Sequence, residues 1–456
     1  MPTWDRRTPA QQAKVRDAAL RRQLRDGVAP FSPFWRERFT ALRIAAADIK
    51  TADDLTKLPA VGERDVCPSG DPAEAARLVL QASESGFALH AYGPDLRKAL
   101  AQRVAGKDSY RRHVEAEVRP TTYHFAGRAF RYPIASTRND LDAVARAGAR
   151  AWSVLGLTAA DVLVSAVPVE SSLDHLFLTY AALGAGAPAL FPGPERLAEA
   201  VAVVPPTVVA VRPQDVGVLN GVDLAAVKTV LLVGVWDAAA RDAVKETLPD
   251  ATVLGLWGPP EGRVLWAQCR ESAASPSGWH TYPDLDLVEL VDPETGQPST
   301  TGGEVTVTQL GFRGSALLRW RTGDLVDGPI ANDACPACGR TVPRIPTEVR
   351  TGTTTVTVRL RPDADEQVLD LRAISAVLAG RTDLADWSVE VVPSPRDHDN
   401  LFVVIAPSGD ETDAAVGVYR DVRAAAGVTP SQIVVLTPAE LAARRRAGEP
   451  RVLVRR

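Results

Sequence analysis

Three groups of residues in this chain have types and spacings that could do chemistry. Cys335 and Cys338, in Cys335-Pro-Ala-Cys338-Gly-Arg340, have the Cys-x2-Cys spacing of a metal knuckle, with Cys269 and His280 upstream. A reduced thiol pair in a turn, with His280 on a strand edge, is the alternative. Glu261 lies in Gly255-Leu-Trp257-Gly258-Pro-Pro260-Glu261-Gly262, after an apolar strand at 252–254, and the bland reading is a Pro-Gly loop whose Trp257 is merely packed. Asp324, in Arg319-Trp-Arg321-Thr-Gly-Asp324-Leu325, is presented by a turn and could accept charge-assisted hydrogen bonds from both hydroxyls of a ribose. A solvated carboxylate in a surface turn is equally consistent, because Thr-Gly-Asp is common turn composition. No Gly-x-Ser-x-Gly elbow occurs, and neither a serine nor a cysteine nucleophile is supported.

The apolar pattern describes the elements that must hold these residues. Residues 1–60 read as helices with polar joints. A helix is expected over 138–157, with Leu141, Val144, Ala147, Ala151 and Leu155 on one face and Asp140 as its cap. Short apolar strands at 162–167, 188–191, 208–211 and 230–233 alternate with helices, one of them running through Leu176 and Leu183. Such alternation implies a parallel sheet covered on both faces. From about Thr347 the composition changes. Strands at 356–360, 388–392, 401–405 and 433–436, with helices near 371–379 and 414–426, suggest a second, smaller unit. The expected class is α/β: a large layered N-terminal domain over 1–347 with mixed and parallel sheets, then a small α+β domain over 348–456.

With 456 residues the chain exceeds one ordinary core, which agrees with two domains. A net charge of −4 gives no reason to expect nucleic acid or an anionic membrane as partner. No apolar run approaches the roughly 18 residues of a membrane span. Only four cysteines argue against a disulfide scaffold, so a reducing cytoplasm is the default expectation.

The run Arg321-Thr-Gly-Asp324-Leu325 followed by Cys335-Pro-Ala-Cys338-Gly-Arg340-Thr-Val-Pro-Arg344 resembles the phenylacetate–CoA ligase branch of the adenylate-forming enzymes. Phe34-Trp-Arg-Glu-Arg-Phe39 is similar to that branch's helical lead-in, and Thr137-Arg-Asn-Asp-Leu141 to the segment after its phosphate loop. The resemblance implies ATP-dependent activation of an aromatic or other small carboxylic acid, with coenzyme A as a candidate acceptor. It implies that Trp257, beside Gly258, stacks on adenine, that Glu261 holds Mg2+, and that Asp324 anchors the ribose. Arg350 matches the hinge arginine, although the aspartate two residues on is replaced by Gly352. Cys269, His280, Cys335 and Cys338 match the ligands of a structural zinc. His175, in Ser171-Ser-Leu-Asp174-His175, falls where relatives form the acyl pocket, and a helix-capping Ser/Asp cluster is the competing meaning. A homodimer or a protein partner fits the family equally.

Three motifs depart from the pattern. Pro260 replaces the hydroxyl residue before Glu261. The phosphate loop should be rich in Gly, Ser and Thr, whose N–H and hydroxyl groups wrap phosphate. Here it reads His124-Phe-Ala-Gly127-Arg128-Ala-Phe-Arg131-Tyr-Pro133, leaving Arg128 and Arg131 as a different device for an anion. No lysine follows Lys245; Glu449 stands where the C-terminal catalytic lysine belongs, and Arg451 is the nearby cation. Losing one such transition-state donor costs about 10²–10³ in rate. The expectation is a ligase-like protein with weakened or altered chemistry; the alternative is a non-catalytic homologue acting as a binding or partner subunit.

Overall fold

The β-branched runs of the first half form strands buried on both faces, as parallel strands are. The computed structural model describes residues 3–69, 71–83, 101, 104–106, 115–127, 132–169, 172–236, 238–293, 295–351, 355–364, 367–396, 398–446 and 452–454. Strands β3 (Leu163–Ser165), β4 (Ala189–Leu190), β5 (Val208–Val211), β6 (Thr229–Val233) and β7 (Thr252–Trp257) pair in parallel. The short strands β8 (Trp266–Ala267), β9 (Trp279–His280) and β13 (Arg344–Ile345) then add antiparallel, giving eight strands in the order β13-β9-β8-β7-β6-β5-β3-β4.

Residue alternation sends Val208, Ala210, Leu231 and Val233 to one face and Val209, Val211, Val230 and Leu232 to the other. The first face is covered by α3 (Arg138–Val154) and α4 (Ser172–Ala185), through Val144, Ala147, Phe177 and Leu178. The second is covered by α5 (Leu197–Val203) and α6 (Ala238–Thr247), through Val201 and Val244. Ahead of these lie the lead-in helices α1 (Pro9–Gln23) and α2 (Pro33–Leu42) and the hairpin β1 (Pro120–Ala126)–β2 (Tyr132–Thr137). A second sheet has the order β10 (Asp286–Val291), β11 (Gly302–Gln309), β12 (Trp320–Asp327), β14 (Val349–Thr351).

The chain divides into two compact units, and toward the C-terminus the break falls after Arg350. The second unit has its own core. β17 (Leu384–Ser394) and β18 (His398–Pro407) pair antiparallel, flanked in parallel by β19 (Gln432–Val435) and β20 (Val452–Val454). Val389, Val391, Val403 and Ile405 of this sheet pack on α7 (Leu371–Ala379) and α8 (Glu411–Ala426). A hairpin, β15 (Thr355–Val358)–β16 (Gln367–Asp370), and α9 (Pro438–Arg446) complete it.

Two local expectations are corrected. The cap of α3 is Thr137, not Asp140: Asp140 is the third helical residue of a capping box, its carboxylate accepting the Thr137 N–H at 2.9 Å while Thr137 Oγ1 accepts the Asp140 N–H at 3.3 Å. The same carboxylate also takes the N–H groups of Arg313 and Gly314, both at 2.7 Å, which explains why it is fully buried. The segment Arg321–Asp324 is not an open turn but part of strand β12.

Asp286 shows what this packing does to charge. Its carboxyl accepts Trp266 Nε1–H at 2.6 Å and the Tyr282 N–H at 3.2 Å, and burial pushes its pKa up to about 7. The folded state therefore holds a proton that the unfolded state releases near its ordinary value. Stability from this group is lost as pH rises between roughly 4 and 7. Urea unfolding should show Asp286→Asn gaining on the unsubstituted chain between pH 5 and pH 8; an unchanged difference would exclude the buried-acid account.

Candidate functional site

Four side chains distant in sequence meet at the edge of the eight-stranded sheet. β9 pairs with β8 at Ala267↔His280 and with β13 at Arg344↔His280, so His280 is held from both sides. Cys269 lies just beyond β8. The knuckle before β13 is closed by Cys335 N–H to Arg340 O at 2.7 Å and Gly339 N–H to Cys335 O at 2.8 Å. The ligand atoms of Cys269, His280, Cys335 and Cys338 all lie within 4.8 Å of one another. Cys269 and Cys335 sulfurs are 3.9 Å apart, and Cys338 Sγ is 3.3 Å from His280 Nε2. A tetrahedral zinc with Zn–S near 2.3 Å would set its sulfurs about 3.8 Å apart, so the cluster has the dimensions of a closed Cys3His site.

The surroundings prepare these atoms. His280 Nδ1 lies 3.3 Å from Ala267 O, which can only accept; with the proton on Nδ1, the Nε2 lone pair faces the cysteines. Hydroxyls of Ser272 and Ser277 lie 3.1 Å from the Cys269 and Cys335 sulfurs respectively. Hydrogen bonding from Cys338 pulls the Cys269 thiol down. Burial works to raise Cys335, but His280 and neighbouring N–H groups outweigh it and pull it down. Cys338 is pushed up, first by its bond to Cys269 and then by burial. Without a cation the three thiols share protons; a divalent ion relieves that competition.

The other candidate residues are carried by three segments that converge on Tyr132. Trp257 closes β7, buried, with the rings of Trp266 and Trp279 centred 5.0 and 5.7 Å from its own. Gly258 follows; a Cβ there would meet Val264 O at 2.5 Å, so only glycine lets the loop fold back this tightly. Glu261 is buried, its Oε1 accepting the Tyr132 hydroxyl at 3.4 Å. The Tyr132 ring stands 6.2 Å from that of Trp320, where β12 begins. His124 on β1 donates from Nε2 to Pro260 O at 3.0 Å, and burial, aided by the charge of Arg263, pulls its pKa down to about 4.

Asp324 is fully buried on a bulge. Glu304 pairs with Leu325 and Thr306 with Arg321, so Thr322, Gly323 and Asp324 stand opposite the single residue Val305. Gly323 has φ 72°, a conformation other residues adopt at a cost. Glu304 holds the bulge, accepting the Gly323 N–H at 2.9 Å and pairing with Arg321 at 2.5 Å. Thr322 Oγ1 donates to Val305 O at 2.8 Å and accepts the Asp324 N–H at 3.1 Å.

Arg350, on β14, pairs with Asp327 at 2.5 Å. Asp174 and His175 lie in the first turn of α4. Burial pushes Asp174 up to about 6 against the opposing charge of Arg212, and the His175 ring lies 5.4 Å from Phe191. Gly127 follows the end of β1 with φ 101°. Arg128, Arg131, Glu449 and Arg451 lie outside the described residues.

No family model matches the chain. A phenylacetate–coenzyme A ligase of Thermus thermophilus is 36% identical over 110 residues, which is 23% of this chain and 23% of that relative. The match thus spans under a quarter of the curated relative. The whole chain superposes on a 2-hydroxyisobutyryl-CoA ligase in the postadenylation state, in complex with R3-HIB-AMP, with a TM-score of 0.67 at 18% identity, covering 100% of this chain and 92% of that one. The same ligase in the thioesterification state, with 2-HIB-AMP and CoA, gives 0.63 at 18% identity over the same shares. The chain thus has the fold of that ligase, and one segment of it is similar in sequence to a phenylacetate–coenzyme A ligase.

Within this fold, sequence reading missed Arg263, two residues past Glu261. It is fully buried and donates to Ala135 O and Ser315 O, both at 2.7 Å, to Ser136 Oγ at 3.1 Å and to Gln309. Burial pulls its pKa down to about 10, with Asp140 opposing. Nothing in Glu261-Gly-Arg263 signals this, because an arginine after Glu-Gly reads as solvated surface. Arg263→Met should cost about 3–5 kcal/mol by leaving several buried acceptors unpaired. A loss under about 1 kcal/mol in denaturant unfolding would show that the guanidinium holds nothing together.

Proposed function

We propose that this protein descends from ATP-dependent acid–CoA ligases acting on an aromatic or other small carboxylic acid, and that it retains the nucleoside-binding scaffold with weakened or altered chemistry. The observation that carries the reading is the pairing of an intact bulge with missing charge. Asp324 sits on a strand shaped by Glu304 and Thr322 to present it, yet no lysine follows Lys245. Lys245 itself is committed to the carbonyls of Pro249 and Ala251, at 2.8 and 2.7 Å. Adenylation builds negative charge between a carboxylate and the α-phosphate, and a preorganised cation is what lowers that barrier.

In this reading Asp324 takes the ribose hydroxyls and Glu261 the Mg2+ beside the phosphates of ATP or AMP. Trp257 reaches adenine only if its packing on Trp266 and Trp279 opens on one side. Coenzyme A is the candidate acceptor. Arg128, Arg131 or Arg451 would supply the missing charge. The packing of Trp257 and the absent lysine favour one second reading, a non-catalytic homologue that serves as a binding or partner subunit, whether in a homodimer or with another protein.

Calorimetry with AMP and with ATP, with and without Mg2+, is expected to show nucleoside binding that Asp324→Ala abolishes. Pyrophosphate exchange with a panel of aromatic and short-chain acids is expected at about 10²-fold or more below an ordinary ligase. Exchange at full ligase rates would refute the weakened-chemistry reading, and no binding of either nucleotide would move the conclusion to the non-catalytic one.

The Cys269–His280–Cys335–Cys338 cluster takes a structural zinc in this proposal, its donor set and spacing supporting a closed tetrahedral site. Metal analysis of untagged protein never exposed to chelator should find about one equivalent of zinc. Cys338→Ser should lose it and melt at lower temperature. Metal-free protein of unchanged stability would end the zinc reading without touching the nucleotide one.

A further inference from the structure

The first described residues close over the cysteine knuckle. Arg6 donates to the carbonyls of Cys338 and Gly339, at 3.0 and 2.8 Å. The Asp5 carboxylate holds Arg340 Nε at 3.0 Å, and Asp5 O accepts the Thr341 N–H at 2.8 Å. Thr341 Oγ1 also donates to Arg7 O at 2.5 Å. Trp4 anchors the arm: its ring lies 5.7 Å from that of Tyr282 and 4.8 Å beneath the Arg150 guanidinium, while Gln12 Nε2 donates to its carbonyl at 3.2 Å.

Arg340 is the pivot. It is only 8% exposed and bonds Asp5 and Ser153 O, yet its Nη1 has no hydrogen-bond partner and stands 3.9 Å from the Glu271 carboxylate. It lies two residues from Cys338. Three thiolates, a neutral imidazole and a divalent ion total −1, and a buried charge needs a counter-charge with good geometry. A guanidinium pinned by Asp5 supplies one, while Arg6 fixes the peptide plane that carries Cys338. Nothing in the metal-ligand motif points to residues more than 300 positions earlier.

We propose that the arm Trp4–Arg7 is the outer shell of the metal centre, so that metal binding and docking of the arm stabilise each other. This rests on the zinc reading above. Linkage makes the coupling reciprocal: whatever factor the docked arm adds to metal affinity, the bound metal adds to docking of the arm. Substituting an outer-shell partner of a metal ligand commonly weakens binding about 10–100-fold.

The test uses the full zinc-loaded chain and two readouts. Zinc release to a chromogenic chelator should be about tenfold faster in Asp5→Asn and in Arg6→Ala than in the unsubstituted protein. Trypsin cleavage after Arg6 and Arg7, followed by mass, should be slow in the loaded protein and fast after chelation under reducing conditions. Arg6 is exposed, so Arg6→Ala keeps the proposal open to test if Asp5→Asn fails to fold. Zinc release at the unsubstituted rate in Arg6→Ala, or an arm equally protected with and without metal, would overturn the coupling and leave the zinc reading standing. A chain that takes up no zinc in the first place would overturn the zinc reading, and this proposal with it.

Discussion

The larger unit is organised around one buried cation. Among the described residues Arg263 carries its charge with no carboxylate in hydrogen-bonding contact, and its acceptors come from β2, from the Ser315 loop and from β11. A guanidinium in a low-dielectric interior is tolerated only if its donors are satisfied, so those segments must be held in one arrangement. Because Arg263 follows Glu261 so closely, this also fixes the hairpin, the Pro-Pro-Glu loop and the approach to β12 relative to one another. Its positive field, together with burial, keeps His124 neutral, which suits a ring that only has to donate to Pro260 O.

Around this centre, polar devices sit where the apolar sheets end. The cysteine cluster lies at the β8–β9–β13 edge, where the strands are two residues long and sheet hydrogen bonding alone gives little cohesion. A four-ligand ion at such a place would substitute coordination bonds for missing ladder. Asp324 occupies a comparable irregularity inside β12, where residues added on one strand turn a carboxylate inward. Both sites show the sheet setting coarse position and a local break in its regularity setting direction.

The tryptophans bear on function in a different way. Trp257 packs edge to face on Trp266 and tilted against Trp279, and aromatic pairing of this kind contributes beyond area burial. The sequence resemblance expects this aromatic to stack on a base, and packing of that kind competes with a ligand for the same ring. The motif is thus present as residues, while its availability depends on what its neighbours do.

The sequence by itself determined the α/β class and the alternation of strands and helices, and it marked Cys269, His280, Cys335 and Cys338 as candidate ligands. It also determined the absence of any lysine beyond Lys245. The class follows from periodicity and residue type and the ligand set from motif resemblance, all local properties that survive without knowing what lies alongside. It was legible, too, that Glu261 and Asp324 were candidates. Sequence could not show that Asp324 rides a bulge, that Trp257 is walled in, or that Thr137 rather than Asp140 caps α3. Only the tertiary structure decided the burial of Arg263, the hydroxyls beside the Cys269 and Cys335 sulfurs, and the seat of Asp5 and Arg6 on the Cys338 knuckle. Each of those depends on contacts between segments tens to hundreds of residues apart. The free energy of a buried charge or hydrogen bond is set by the groups that surround it in space, not by its neighbours along the chain.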